Sequence, residues 1–228
     1  MKKIEGGVCA AKGFRAAAVH CGVKAGSPQE KDDLALIVSE CCASTAATFT
    51  NNRVKAAPIY VCMEHLEDGI AQVIAANSGN ANACAPQGIE NARRMAKAAA
   101  QAVGVEENLV LVSSTGVIGQ QLNIEAIEGG MAKLADQLSE DGSAAANRAI
   151  MTTDLVEKTA AVEFDCGGKT CRMGGIAKGS GMIHPNMGTM LCFITTDCAI
   201  DPSLLRGALQ DAVARTFNRV SVDGDTST

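Results

Sequence analysis

The run 178–197, KGSGMIHPNMGTMLCFITTD, decides how the chain is read. Its first half holds Gly179, Gly181 and Pro185, residues that set special backbone dihedrals, and Met190, Leu191, Phe193 and Ile194 then read as a buried strand. Thr189 falls where loop becomes strand. Its β-branched side chain confines the hydroxyl to few rotamers, and Gly188 before it leaves a carbonyl open to attack. Attack of the Thr189 hydroxyl on that carbonyl would give an ester, and hydrolysis of the ester would make Thr189 an N-terminus. Its α-amine, with an ordinary pKa of about 7.7–8.0, could then serve as base for its own hydroxyl. A Gly-Thr pair equally suits a plain turn that opens a strand.

Upstream of this run, 158–164 alternates with Ala160, Val162 and Phe164 on one side, and 169–177 returns through Gly167-Gly168, so a hairpin leads into Lys178. Before the hairpin, 147–150 is helical and ends in Met151-Thr152-Thr153-Asp154, a polar knot in which Thr152 or Asp154 could cap a turn. Further back, 109–112 reads as a short strand delivering Ser113-Ser114-Thr115-Gly116-Val117-Ile118-Gly119, followed by a helix marked by Ile124, Ile127, Met131, Leu134 and Leu138. A strand, a Ser/Thr/Gly loop and a helix gather free N–H groups and hydroxyls at one point. Those parts suit an oxyanion hole, anion capture or simple capping.

The run 88–103 repeats apolar positions at three and four (Ile89, Ala92, Met95, Ala99, Val103) and predicts an amphipathic helix with Arg93, Arg94 and Lys97 outward. The strand 71–76 precedes it and ends in the amide-rich run Asn77-Ser78-Gly79-Asn80-Ala81-Asn82, an Asx turn or a loop near something polar. The first fifty residues predict short strands at 8–10, 16–19, 34–39 and 45–50, with Asp32-Asp33 solvating a loop. After the strand at 190–194, 202–217 predicts a helix with Leu204, Leu205, Ala208, Ala212 and Phe217 inward. The fold class is α/β, with sheets packed against helices.

At 228 residues and 47% hydrophobic content the chain can build a real core. A net charge of −5, 3% aromatic residues and no Trp remove the basic footprint and stacking platforms of nucleic-acid binders, which leaves small molecules as partners. Lys2-Lys3 lead into Ile4-Glu5-Gly6-Gly7 rather than an apolar segment, and no run is long enough to span a bilayer, so a cytoplasmic location is expected. The ten cysteines show no C-x-x-C and lie scattered in apolar segments, as reduced core thiols do. Cys166 and Cys171, facing across the hairpin, and His20-Cys21, as a ligand pair, are the exceptions to weigh. No metal or resident cofactor is expected.

Lys178-Gly-Ser-Gly-Met-Ile, Pro185-Asn-Met, Thr189-Met-Leu and Thr196-Asp197 together resemble the ornithine acetyltransferase family, the self-cleaving glutamate N-acetyltransferases of arginine biosynthesis. Phe49-Thr50-Asn51-Asn52, Ala56-Ala57-Pro58, the asparagine run 77–82 and the stretch 218–227 resemble it as well. One departure is Gly188, where the family usually has alanine. The resemblance implies an N-terminal-threonine architecture, with Gly188-Thr189 as cleavage junction and Thr189 as nucleophile. It makes Thr115 and Gly116 the oxyanion pair, and Thr152 and Lys178 substrate contacts, Lys178 toward an α-carboxylate. His184 matches no required base. The chain covers the family's N-terminal part, an α chain 1–188 and the start of a β chain 189–228, while a substrate-site glutamate and further residues of the family lie beyond it.

The implied reaction moves an acetyl group from N-acetylornithine to glutamate through an acetyl-Thr189, with acetyl-CoA as a co-substrate in bifunctional members and with α and β chains paired in a heterotetramer. Two other readings stand beside it. An N-terminal-threonine amidohydrolase or aminopeptidase would share the cleavage but pass the acyl group to water. A noncatalytic small-molecule-binding domain would use Gly188-Thr189 as an ordinary turn.

Overall fold

Strands β2 (Phe14–Val19), β3 (Leu34–Ser44) and β4 (Ile70–Asn77) are apolar on both faces, and that double pattern places them in the middle of the molecule. The structure is a computed structural model and describes residues 1–184 and 190–225. The first sheet has the order β2-β3-β4-β5, with β5 (Val110–Ser114) parallel to β4 and the other pairs antiparallel. The second sheet, β1-β6-β7-β8, is antiparallel throughout and combines β1 (Lys2–Ile4), β6 (Lys158–Cys166), β7 (Lys169–Lys178) and β8 (Leu191–Thr196).

Side chains alternate along a strand, so one strand serves two cores. Ala17, Val19, Leu34, Leu36, Val38, Val73 and Ala75 face a layer of helices, α1 (Ala57–His65), α2 (Gly88–Val103) and α3 (Ile124–Asp136). Ala16, Ala18, Ala35, Ile37 and Ala76 face the other way, meeting α4 (Ser143–Ile150) together with Ile176 of β7 and Phe193 of β8. Fully buried Leu34, Leu36, Met95, Ile127 and Leu134 each contribute roughly 1.5–3 kcal/mol of burial.

The helix predicted over 88–103 is α2, closed by Gly104 in the left-handed region, whose N–H bonds to Ala100 O at 2.8 Å. Ala92, Met95 and Ala99 are buried, while Ile89 is exposed at its first turn. The basic face is engaged as well as solvated: Arg93 pairs with Glu64 of α1, and Arg94 with Glu125 and Glu128 of α3.

Three expectations in the first third are corrected. Residues 8–10 form a turn, with Ala10 N bonded to Gly7 O, and the first strand is Lys2–Ile4. Residues 45–50 form no strand, because β3 runs on through an irregularity between Val38 and Ala43 to Ser44, whose partner Ile70 is the first residue of β4. Beyond Ser44 there is no strand left to pair with. Asp33 does not solvate a loop. It is 3% exposed, and its carboxylate accepts the amides of Cys21, Gly22 and Val23 at 2.7, 3.0 and 2.8 Å.

Two faces are also corrected. In β6 the buried residue is Ala161, with Ala160 exposed; alanine at both positions left the phase of the alternation ambiguous. In α5 (Pro202–Arg215), Leu204 is 69% exposed, Ala208 and Ala212 are exposed, and Val213 is the buried side chain. Every cysteine is a free thiol. Cys166 lies opposite Lys169 and Cys171 opposite Phe164, so the two do not face directly across the hairpin. No helix among the described residues is long and apolar enough to cross a membrane.

Candidate active site

Strands β4 and β5 end side by side, Asn77 opposite Ser114, and the loops leaving them interlock. Asn77, fully buried, donates from its amide to Ser78 O and Asn80 O and accepts from Ser114 Oγ at 2.6 Å. Thr115 N donates to Asn77 O at 3.0 Å, Val117 N to Gly79 O at 3.3 Å and Ala81 N to Val117 O at 2.9 Å. Asn80 reaches on to Gln120 O and Gln121 O, while its Oδ1 accepts from Asn82 N at 2.7 Å. The asparagine run is therefore the frame that holds the Thr115 loop. Gly116 has φ +134°, and a Cβ there would lie 2.4 Å from Gly79 C and 2.6 Å from Asn80 N, so no other residue fits.

Lys178 ends β7 and arrives at this loop from the other sheet. It is 3% exposed, and its Nζ donates to Thr115 Oγ1 at 2.8 Å across 63 residues of sequence. Its register partner is Leu191, two residues after position 189. A third segment closes in after α4, where Asp154 Oδ1 accepts from Gly179 N at 2.8 Å and pairs with Lys158 Nζ. The Asp154 side chain is 1% exposed, and its Oδ2 is buried without a hydrogen-bond partner among the described residues.

Burial holds the Lys178 ammonium below the ordinary lysine pKa; the charge of Asp154 opposes that, and the charges of Lys158 and Lys31 add to it. Burial pushes Asp154 up, but the bonds from Lys158 and the Gly179 amide, with the charge of Lys158 and Lys178, bring it below the ordinary carboxylate range.

The structure thus brings together Thr115, Gly116, Lys178 and the segment carrying half-buried Thr152. Gly188 and Thr189 lie outside the described residues. His184 is exposed. Two carboxylates that fasten the segment after Lys178 carried no role in the sequence reading. Asp154 was seen only as a turn cap. Asp223 accepts the amides of Met182 at 2.7 Å and Ile183 at 3.1 Å, Val222 N donates to Ile183 O at 2.8 Å, and Met182 sits at φ +54°. The run 218–225 thereby fastens the loop that leads toward the Gly-Thr pair. The Thr196-Asp197 motif is structural: Asp197 accepts Arg172 N and Lys12 N, and Thr196 Oγ1 donates to Arg172 O.

Among the described residues no group of three or more His, Cys, Asp or Glu side chains is placed to hold a metal ion. His20 Nδ1 is 2.7 Å from Lys31 O, a carbonyl that can only accept, so it is spent on the backbone.

Two sheets with helices packed against them define a mixed α/β protein, whose architecture is similar to a variant of the Ntn-hydrolase fold. The L-aminopeptidase D-Ala-esterase/amidase of Ochrobactrum anthropi, described as a variant of that fold, matches it with TM-score 0.57 over 100% of this chain and 72% of that chain, at 12% identity. That likeness concerns the fold alone.

The chain belongs to the ArgJ family, whose model matches residues 15–228. Proteins named arginine biosynthesis bifunctional protein ArgJ from Thermosynechococcus vestitus and Symbiobacterium thermophilum are 50% and 48% identical to it over 100% of this chain, and it covers 54% and 57% of their lengths. The chain thus spans about half the length of these curated relatives. The crystal structure of the ArgJ protein from Bacillus halodurans is similar with TM-score 0.74 at 42% identity, over 83% of this chain and 97% of that chain. Ornithine acetyltransferase from Mycobacterium tuberculosis, complexed with ornithine, follows with TM-score 0.72 at 36% identity, over 81% and 96%.

Proposed function

We propose that the chain carries the N-terminal part of a self-processing acetyltransferase that passes the acetyl group of N-acetylornithine to glutamate. The observation that carries this reading is the buried 2.8 Å bond between Lys178 and Thr115, which joins the expected substrate contact to the expected oxyanion donor. Processing comes first. The Thr189 Oγ adds to the Gly188 carbonyl, the peptide C–N bond breaks and its nitrogen becomes the Thr189 α-amine, and water hydrolyses the ester to leave a carboxylate on Gly188. The two family structures with 42% and 36% identity support a chain ended there: each is matched almost to its full length while covering 83% and 81% of this chain. That share is close to the 188 of 228 residues that precede the junction.

In transfer, the α-amine takes the Thr189 hydroxyl proton, Oγ attacks the acetyl carbonyl, and the ornithine amine leaves with a proton. The Thr115 hydroxyl and the Gly116 amide hold the negative oxygen. Glutamate's α-amine then attacks the acetyl ester and regenerates Thr189. An ammonium has three N–H donors; those Lys178 does not give to Thr115 we assign, with Thr152, to the substrate carboxylate. Acetyl-CoA as a second donor, a cytoplasmic location and paired α and β chains in a heterotetramer are part of the same proposal.

The test uses the complete gene product that carries this chain. On a denaturing gel it should separate into a fragment ending at Gly188 and one starting at Thr189, and Thr189→Ala should stay whole. With labelled N-acetylornithine, label should enter N-acetylglutamate. An uncut wild-type protein, or label appearing as free acetate at the same rate with or without glutamate, would sink the proposal, the second outcome in favour of a hydrolase.

A further inference from the structure

The Lys178–Thr115 bond has a direction. An ammonium only donates, so Thr115 Oγ1 is the acceptor in the 2.8 Å contact, and its own hydrogen must turn to another acceptor. A neutral amine has a lone pair, so loss of the proton would let the Thr115 hydrogen turn back onto Nζ. The charge state of one buried lysine therefore decides whether the threonine hydroxyl faces the reacting oxygen as a donor. The charged groups acting on Lys178 come from three places: Asp154 after α4, Lys158 at the start of β6, and Lys31 in the loop before β3. Asp154 is the one that favours the ammonium.

Asp154 is built for that task. Gly179 N and Lys158 fix Oδ1, while Oδ2 is buried without a partner among the described residues, a costly arrangement for a group serving only as a turn cap. We propose that Asp154 is a positioning residue for acyl transfer, keeping Lys178 protonated so that the Thr115 hydroxyl donates to the reacting oxygen and not to Lys178. The inference rests on Thr115 being an oxyanion donor.

Asp154→Asn keeps an oxygen for Gly179 N and Lys158, removes the charge and puts an NH2 where Oδ2 stands. In the complete gene product it should move the alkaline limb of kcat/KM to lower pH. Where wild-type Lys178 is still charged and the variant's is not, the rate should be about 100-fold lower, the loss of one such donor; at lower pH the two should converge. Asp154→Glu should restore part of the wild-type profile. The Lys178 Nζ titration, followed by NMR with labelled lysine, should shift down in the Asn variant, and this readout needs no activity. A uniform loss of rate at every pH with an unmoved limb would overturn the inference and make Asp154 structural. An unmoved Lys178 titration would overturn it as well. Absence of acetyl transfer in the wild-type protein would instead overturn the acetyltransferase reading, while the titration would still report whether Asp154 holds the proton on Lys178.

Discussion

The loops 77–82 and 179–184 reach the same cluster from the ends of two different strands, and they are fastened by different chemistry. The first is interlocked with 114–121 through neutral amides, a hydroxyl and backbone groups, with Asn77, Asn80 and Asn82 all buried. The second is held by carboxylates: Asp154 on Gly179 N, and Asp223 on Met182 N and Ile183 N. A frame of neutral groups keeps its bonds at any moderate pH. A frame of carboxylates keeps them only while ionised. The Thr115 side is thus set rigidly, and the side leading to the Gly-Thr pair is set electrostatically.

The largest test of this division is on the rigid side. Thr115→Ala should lower kcat by roughly 100- to 1000-fold with little change in KM. Unchanged turnover with only a raised KM would reduce Thr115 to a binding or structural residue. Asn77→Ala comes next, and should cost about 3 kcal/mol in urea unfolding, because Ser114 Oγ and the Asn80 carbonyl both lose a partner and each such loss costs roughly 1–3 kcal/mol. A cost well under 1 kcal/mol would show that the amide frame is not what holds the loop.

The smallest effect is on the electrostatic side. The Met182 amide holds Asp223 below the ordinary carboxylate range, against a lesser upward push from burial, and Asp154 also lies below it. Groups depressed in the folded state stabilise it fully above the unfolded pKa of about 3.9 and lose that contribution as pH falls through the folded value. Hydrogen exchange, corrected for intrinsic rate, should show the Met182 and Ile183 amides losing protection below about pH 4 while those of Thr115 and Val117 keep it. Asp223→Asn should loosen the same two amides at neutral pH and lower the unfolding midpoint less than Asn77→Ala does. Equal loosening of both loops would break the comparison.

Much of this was legible in the sequence because it is local. The three-and-four spacing of Ala92, Met95 and Ala99 with Gly104 behind them gave α2, and Gly167-Gly168 between alternating runs gave the β6–β7 hairpin. α1 was missed because its nine residues have no clear polar face, and the 45–50 strand was misread because pairing ends with the partner strand, which no local pattern records. The helix α5 has an apolar stripe, but a stripe does not say what covers it. In the candidate site, Thr115, Gly116 and Lys178 were named through resemblance, and the structure places them together. Asp154 and Asp223 were not so named, since a carboxylate that accepts backbone amides 25 and 41 residues away leaves no spacing to read.

The contact at Gly116 also bears on how this chain can vary. A side chain there collides with the backbone of Gly79 and Asn80, so no exchange of a neighbouring side chain can make room for it. Three residues on, Gly119 also has positive φ, at +80°, but no atom of the described residues lies within 4 Å of its Cβ position, and asparagine, which enters the left-handed region more readily than other side chains, fits there. Two glycines in one turn of sequence thus differ in kind. The first is an epistatic dead end that no single compensating mutation can open, and the second is limited by its own backbone conformation alone.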